Sequence, residues 1–445
     1  MPTATLANFV ANTRYGDIPA GVIETAKNYF LDWLGSAYAG SGSKPASIMS
    51  DLVEELGGKP EATVIGSERR NTCLHAALVN GAASHVVEMD DLHKASIYHP
   101  AAPVMPAALA VAEREGKDGR EFLRAVVLAY EASCRIGEAI NPSHYRFWHT
   151  TGTVGTFGAA VAAGVLLDLK VEEMIWALGS AGTQASGLWE FLADGAMSKQ
   201  LHPGKAALNG VLGSLLAKRG FTAARRILEG EKGFCRATSE QVDLTKITAG
   251  LGESYRICDV SFKPHASCRH THSAIDATLE IVNKFNLKAK EIEKVTVRVY
   301  SGAMDLLGNV EATSPFAAKF NMPYCVSSAV LFRKVGLEQF SDERLWDASL
   351  RQLMSKIEMV VDPALDRDYP AKWPAVVQID TMGGKILAAN VDYPKGDPEN
   401  PLSRQELCDK FTGMATPIIG QARTESLLNR VWGLDRLPNM TAFFE

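Results

Sequence analysis

Apolar residues recur at intervals of three and four along most of the first 260 residues, which is the spacing of one buried face of an α-helix. This pattern predicts helices over residues 23–38, 73–87, 102–114 and 121–140. Residues 155–167 and 206–217 are also helical in pattern and are rich in glycine and alanine. Small side chains let helix backbones approach closely, so we expect these two helices at the centre of an all-helical region.

The pattern changes near residue 260. Residues 295–300 alternate β-branched with charged side chains, which predicts a strand. Residues 375–379 and 385–391 predict a hairpin around Gly383-Gly384, because glycine supplies the positive φ of a tight turn. Helices are predicted around these strands and in the tail, over residues 273–285, 323–334, 341–356, 401–411 and 417–431.

A chain of 445 residues is too long for one ordinary core, so two domains are expected. We predict a mainly α fold, with a large, discontinuous all-helical domain made of residues 1–262 and 396–445. Residues 263–395 form a smaller α+β domain in this prediction. The proline- and glycine-rich segment 392–401 is the expected connector.

Composition narrows the class of protein. The net charge of −5 and the absence of a basic block argue against nucleic acid as a partner. No run of 18 apolar residues occurs and the start has no secretory pattern, so we expect no membrane segment and a cytoplasmic location. The seven cysteines are scattered, odd in number and without a C-x-x-C pair, which favours a reducing compartment.

Histidines lie at the predicted starts of helices. His99 precedes the helix at 102, His149 precedes the glycine-rich helix, and Lys199 and His202 precede a helix predicted from residue 205. The segment 263–272 stands before another helix. Helix N-termini favour anions, so four such ends, if they converge, would bind a di- or tricarboxylate. The alternative is that each histidine is a cap or a surface residue.

An acidic cluster, Glu88, Asp90 and Asp91 with His93, stands near these histidines. Its spacing suits no common zinc site, so we predict no metal, and a polar helix end is the competing interpretation. Lys199 is expected in a loop, where it would clamp a carboxylate or act as a base, unless it is simply solvated.

Other candidates for proton transfer are a thiol and two phenols. Cys268, beside Arg269 at a helix start, would exchange protons if its pKa is depressed, or else is a plain buried cysteine. Tyr145 and Tyr324 could donate protons, although each is equally explained as a core or rim aromatic. No G-x-S-x-G or G-x-x-x-x-G-K-[ST] motif occurs, and the glycines of GTVGTFGAA follow no predicted strand.

Several ordered segments give the chain a family resemblance. They are LDWLGSAYAG, HVVEMDDLHKASIYHPAAPVMPAALA, HTTGTVGTFGAA, SKQLHPGKAALNG, FKPHASCRHTH, AKFNMPYCV and PENPLSRQEL. Together they resemble the MmgE/PrpD family, whose members include 2-methylcitrate dehydratase, cis-aconitate decarboxylase and iminodisuccinate epimerase. The resemblance implies a large helical domain with a smaller α+β lid, a homodimer, a small polycarboxylate substrate and no cofactor.

By position, the resemblance assigns functional roles to His99, His149, Lys199, Lys263 and Tyr324. The chain departs from the dehydratase and decarboxylase pattern at two positions. Leu92 stands where those branches have threonine, and Cys268 stands where they have histidine. The spacing from Asp91 to His99 is also one residue longer than in the decarboxylase.

These departures favour an isomerase that epimerises a carbon next to a carboxylate, with an iminodisuccinate-like substrate. The alternatives are a lyase that dehydrates a 2-methylcitrate-like acid or decarboxylates a cis-aconitate-like acid, and a scaffold that binds acids without turnover. The expected acid/base groups are Lys199, His99, His149, Tyr145, Cys268 and Tyr324, with Asp91 orienting a histidine. The expected substrate-binding groups are Lys263, Arg269, His93 and His202.

Overall fold

The computed structural model describes residues 1–67 and 69–445. The chain forms two compact units. The first unit combines Met1–Val260 with Ser403–Glu445, and the second is the continuous stretch Ser261–Leu402. Helices dominate the first unit and a small sheet with helices makes up the second, so the predicted fold class, mainly α with a smaller α+β part, is confirmed.

Helices make up most of the first unit before residue 260. In chain order they are α1 Pro2–Asn12, α2 Ala20–Ser41, α3 Lys44–Leu56, α4 Cys73–Val86, α5 Ala101–Glu115, α6 Gly119–Ile140, α7 Thr150–Leu166, α8 Val171–Gln184, α9 Phe191–Asp194, α10 Ser198–Ala217 and α11 Phe234–Thr238. Two-residue strands are β1 Ala62–Thr63, β2 Arg70–Asn71, β3 Leu92–His93 and β4 Val260–Ser261.

Helix α7 is the centre of the first unit. Its residues are buried along the whole helix, and it packs against α5, α6, α8 and α10. A Cβ atom at Gly210 of α10 would lie 2.5 Å from the Cβ of Ala159 in α7, and one at Gly204 would lie 2.3 Å from the carbonyl oxygen of Leu78 in α4. Only glycine fits at these crossings, so the small residues allow three helices to meet closely.

The second unit is built on a four-stranded sheet. Its helices are α12 His272–Lys284, α13 Ser301–Leu307, α14 Pro315–Ala318, α15 Met322–Phe332, α16 Asp342–Leu345, α17 Ala348–Met354 and α18 Pro363–Asp366. Its strands β5 Ile292–Val299, β6 Ile357–Val361, β7 Ala375–Thr381 and β8 Ile386–Val391 lie in the order β6-β5-β7-β8. Strands β5 and β6 are parallel and the other neighbours are antiparallel, while α12 packs on β7 and β8.

The helix predicted over residues 341–356 is wrong. Two short helices, α16 and α17, occupy this stretch, and strand β6 follows it. The break has a local cause, because the Asp347 side chain accepts hydrogen bonds from the backbone N–H groups of Ser349 and Leu350 and starts a new helix.

The chain returns to the first unit through helices α19 Arg404–Ile419 and α20 Gln421–Trp432, which meet at Gly420. Gly420 has a φ of 76°, a backbone conformation that favours glycine and ends α19 later than the sequence predicted. Helix α19 packs against α2. No helix in the described part of the chain combines the length and apolar character required of a membrane span.

Candidate active site

A group of imidazole rings gathers inside the first unit. The ring centroid of His85, in the last turn of α4, lies 5.0 Å from that of His99 and 5.5 Å from that of His149. The ring of His202 lies 5.3 Å from that of His149. His99 stands just before α5, His149 caps α7, and His202 lies near the start of α10. Three of the predicted helix starts therefore converge.

The start of helix α10 differs from the prediction. The sequence placed Lys199 in a loop before a helix at residue 205, because Pro203 and Gly204 interrupt the pattern. The structure begins the helix at Ser198, so Lys199 and His202 lie in its first two turns with Pro203 inside it. Both side chains are thereby fixed by helical backbone, and Lys199 is 4% exposed.

Lys199 forms an ion pair with Glu88. The two side chains are 5% and 3% exposed, so the pair is shielded from water. Glu88 follows the end of α4 and has a φ of 59°, in the left-handed region that glutamate rarely adopts. This backbone conformation turns the segment that carries Glu88, Asp90 and Asp91 sharply away from α4.

Asp90 supplies the carboxylate that faces the imidazole rings. Its Oδ2 accepts a hydrogen bond from Nδ1 of His85 at 2.6 Å and lies 3.5 Å from Nδ1 of His99. The sequence predicts that Asp91 orients a histidine. Its backbone carbonyl accepts from Nδ1 of His99 at 2.5 Å, and a role of its side chain in the reaction stays a prediction.

The Asp91 carboxylate contacts residues of α5 and α6. Its Oδ1 accepts from the backbone N–H of Ala101 at 3.0 Å, and its Oδ2 accepts from the Tyr130 hydroxyl at 2.8 Å. Burial, and then the neighbouring charge of Asp90, raise its pKa well above the ordinary range. This side chain therefore anchors the beginning of α5 to α6.

His149 and His202 are kept neutral by their surroundings. Burial, and then the charges of His85 and Lys199, hold the pKa of His149 well below its ordinary value. Burial and the charge of Lys205 lower the pKa of His202 to about 4. At neutral pH both rings therefore have one N–H and one lone pair, which suits proton exchange.

Aromatic side chains line one side of these two histidines. The Trp189 ring lies 4.8 Å from His149, and the Phe191 ring lies 5.6 Å from His202. Tyr145 packs edge-on against Trp189 at 4.8 Å. Tyr145 contacts Trp189, which in turn contacts His149, and its proposed role in proton transfer stays a prediction.

His93 lies in a separate environment. Its Nδ1 forms a hydrogen bond with the Ser96 hydroxyl at 2.7 Å, and its Nε2 lies 3.6 Å from a carboxylate oxygen of Glu138. Burial lowers its pKa to about 3. These contacts explain His93 as a neutral structural residue, and its substrate-binding role stays a prediction.

One set of side chains within the described residues has the composition of a metal site. His85, Asp90 and His99 each offer a ligand atom, and these atoms lie within 4.8 Å of one another. Two imidazoles and a carboxylate are common ligands of zinc. Here, however, the Nδ1 atoms of both rings already donate to oxygen acceptors at hydrogen-bond distances of 2.6 and 2.5 Å. The first of these bonds joins two members of the set, and the second joins His99 to the backbone carbonyl of Asp91.

The remaining predicted residues belong to the second unit, where Lys263 and Cys268 are buried. The guanidinium of Arg269 pairs with Asp397, which also accepts from the Ser261 hydroxyl at 2.6 Å. This pairing ties Arg269 to the connector before α19. The Tyr324 hydroxyl donates to the Gln339 carbonyl at 2.6 Å, and burial raises its pKa to about 12. The catalytic and binding roles of these four residues stay predictions.

The sequence analysis missed His85, and it noted Glu88 and Asp90 only as an unlikely metal cluster. His85 looks like an ordinary position in α4, whose pattern predicts burial. The available signal was the close spacing of three acidic residues to several histidines. Pairing each acid with its partner required the fold.

Residues 4–246 match the MmgE/PrpD N-terminal domain and residues 265–434 match the MmgE/PrpD C-terminal domain, so the chain belongs to the MmgE/PrpD family.

Two relatives align along nearly the whole chain. Cis-aconitate decarboxylase of Aspergillus terreus is 27% identical over 100% of this chain and 95% of its own length. Cis-aconitate decarboxylase of Homo sapiens is 25% identical over 98% and 92%. By contrast, 2-methylcitrate dehydratase of Salmonella typhimurium is 26% identical over only 28% of each chain. These names favour the lyase alternative over the isomerase that the sequence analysis preferred.

Proposed function

We propose that this protein is a lyase that acts on a small polycarboxylate, and that decarboxylation of cis-aconitate is its reaction. The observation that carries the proposal is the convergence of His99, His149, His202 and the Lys199–Glu88 pair in one buried group. The full-length likeness to cis-aconitate decarboxylases supports the choice of substrate.

The group suits a substrate with several negative charges. Helices α5, α7 and α10 all begin at it, and their N-terminal backbone N–H groups attract anions. Lys199 adds an ammonium, and the imidazoles add N–H donors. A carboxylate bound here would gain hydrogen bonds that are stronger than in water, since the group is almost closed to solvent.

Decarboxylation of cis-aconitate breaks one C–C bond and releases CO2. The electron pair stays on carbon, where it spreads into the adjoining double bond and carboxylate. An acid of the protein then adds a proton to carbon, which gives a five-carbon unsaturated dicarboxylic acid, and water restores the proton to the protein. The group must therefore stabilise a carbanion and supply one proton.

The surroundings of His99 and His149 suit these two histidines to different roles. Nδ1 of His99 donates to the backbone carbonyl of Asp91 and lies 3.5 Å from the Asp90 carboxylate, and we assign His99 as the group that protonates carbon. His149 has a lowered pKa and stays neutral, so it suits a hydrogen bond to substrate. Lys199 supplies the positive charge that stabilises the carbanion.

The isomerase remains the second candidate because of two residues. Leu92 and Cys268 depart from the decarboxylase pattern, and Cys268 is a buried thiol. An epimerase needs an acid and a base on opposite faces of one carbon, and a thiol can serve as one of them.

NMR of the purified protein in D2O tests the proposal. With cis-aconitate we expect loss of CO2 and one deuterium on carbon in the product. Formation of an alkene from 2-methylcitrate, without decarboxylation of cis-aconitate, would indicate a dehydratase. Exchange of the α-proton of a dicarboxylate, with neither CO2 nor alkene formed, would indicate an isomerase. Either result would refute the decarboxylase.

A further inference from the structure

The segment Val87–Asp91 is held in place from several directions. Glu88 has the left-handed backbone conformation described above and pairs with Lys199. Asp90 accepts from His85, and Asp91 accepts from Tyr130. A non-glycine residue with positive φ persists only where its surroundings fix it. The position of each carboxylate therefore depends on how firmly the backbone of this segment is anchored.

One anchor of this backbone comes from the far end of the chain. Lys410, in α19, donates from Nζ to the carbonyl oxygen of Met89 at 2.7 Å, although the two residues are 321 positions apart. The same ammonium pairs with Asp32 of α2. The side chains of Lys410 and Asp32 are 6% and 1% exposed, so water cannot replace these contacts.

We propose that Lys410 is a positioning residue for the candidate active site. By fixing the Met89 carbonyl, it sets the directions of Glu88 on one side and Asp90 on the other. The effect on catalysis rests on the proposed function, whereas the effect on the segment does not. The competing interpretation is that Lys410 only neutralises the buried charge of Asp32.

Lys27 offers a matched control. It is a lysine of α2 whose side chain is 5% exposed, and it pairs with Asp435 in the C-terminal tail. Its Nζ also donates to the carbonyl of Trp432 at 3.3 Å. Lys27 and Lys410 thus tie the same two parts of the chain together by the same chemistry, but Lys410 alone of the two also holds the segment 87–91.

Hydrogen–deuterium exchange of the full chain tests the anchor without a substrate. Lys410→Met is expected to speed exchange of the amides of residues 88–92 by about tenfold or more, whereas Lys27→Met leaves them as in the wild type. Lys410→Arg, which keeps the charge, should restore part of the protection. Equal protection of this segment in Lys410→Met and Lys27→Met would overturn the proposal.

Removing one partner of a buried ion pair is strongly destabilising, so the double variant Asp32→Asn/Lys410→Met serves if Lys410→Met does not fold. It removes both charges of this ion pair but still lacks the contact to Met89. The double variant should also exchange faster at residues 88–92. If the double variant keeps wild-type protection at residues 88–92, then Lys410 only neutralises the buried charge of Asp32.

Kinetics with cis-aconitate give the second readout. We expect Lys410→Met to lower kcat by about tenfold to 100-fold with KM changed by less than about threefold, since small misplacement of catalytic groups mainly affects turnover. Lys27→Met should keep kcat within about twofold of the wild type. A kcat for Lys410→Met equal to that of Lys27→Met would refute the positioning role. If the wild type does not decarboxylate, the proposed function fails, and the exchange result still decides whether Lys410 anchors the segment.

Discussion

His149 and His202 face each other through their Nδ1 atoms, which lie 3.0 Å apart. At this distance one ring donates a hydrogen bond and the other accepts it, so the two rings hold opposite tautomers. One Nε2 is then a donor and the other an acceptor. The pair can present both kinds of group to a bound acid while remaining uncharged.

Substitution of these histidines should separate direct from indirect roles. We expect His149→Gln to lower kcat by about 100-fold to 1,000-fold, the range typical of losing one hydrogen bond that stabilises the charge of the transition state. His202→Gln should lower it by about tenfold, because His202 acts through His149. The control is His144→Gln, since both ring nitrogens of His144 are bonded to Thr238 and Thr153. Its kcat should stay close to the wild type, and a loss as large as that of His149→Gln would contradict the assignment.

The Lys199–Glu88 pair can be dissected by a double-mutant cycle. Lys199→Met removes the cation paired with the buried Glu88 carboxylate, which should cost about 3–5 kcal/mol of unfolding free energy in urea titrations. Glu88→Gln together with Lys199→Met should recover most of that stability. The double variant should still have less than about 1% of wild-type kcat, since the ammonium is lost. Recovery of activity along with stability would mean that the pair is only structural.

Substitutions of the adjacent Asp90 and Asp91 should differ in their effects on activity and stability. Asp90→Asn removes the negative charge beside His85 and His99, and we expect kcat to fall by about 100-fold with little change in stability. Asp91→Asn keeps an oxygen that can accept from Ala101, so it should cost about 1 kcal/mol of stability and leave kcat within about tenfold. Steady-state kinetics and urea unfolding measure both. Greater kinetic damage from Asp91→Asn would restore the sequence-based assignment of Asp91.

Metal removal should not affect the protein. Nδ1 of His85 donates to Asp90 and Nδ1 of His99 donates to the Asp91 carbonyl, so we expect the purified protein to contain well under one equivalent of metal by elemental analysis. Dialysis against a chelator should leave the activity unchanged. If zinc copurifies in a 1:1 ratio and is lost in Asp90→Asn, then these three side chains bind metal and the acid/base roles must be reassigned.

Acid should destabilise the protein through its buried histidines. Burial lowers the pKa of His144 and of His202 to about 4, from an ordinary value near 6.5. Between these two values the unfolded chain binds protons that the folded chain does not. Stability is therefore fully present above pH 6.5 and falls as the pH drops toward 4, by about 1.4 kcal/mol per pH unit for each such group.

Buried carboxyl groups with raised pKa values also affect stability at acid pH. Comparing the wild type with His144→Asn isolates the contribution of His144. The stability advantage of the wild type over this variant, measured by urea unfolding, should shrink steadily from pH 6.5 to pH 4. An advantage that stays constant or grows in this range would show that His144 is protonated in the folded protein.

The sequence predicted most of the helical framework because apolar periodicity reflects burial directly. Helices α2, α4, α5 and α6 follow their predicted ranges closely. The start of α10 was missed because Pro203 and Gly204 weaken a helix locally, and only packing of Gly204 against α4 compensates. The strand β6 was missed because its short apolar run has no clear alternation, and its pairing with β5 determines it.

The candidate site was predictable only in part. His99, His149 and His202 were predicted as site residues from their positions near predicted helix starts, whereas their convergence required the fold. The contact of the Asp90 carboxylate with His85 was not predicted, because adjacent residues differ only in the direction of their side chains. Likewise, the ion pair of Arg269 with Asp397 was not predicted, because Asp397 is distant in sequence. Partners set by tertiary contact leave no local signal.

The return of residues 403–445 to the first unit has a consequence for synthesis on the ribosome. Phe30 packs against Phe443 at 5.3 Å, and the backbone of Gly119 donates to the carbonyl of Leu437 at 2.9 Å. The first unit is therefore translated first but finished last, after the whole of residues 261–402 has emerged. Until residues 403–445 emerge, the nascent first unit lacks these contacts, and apolar surface that is exposed during synthesis favours aggregation.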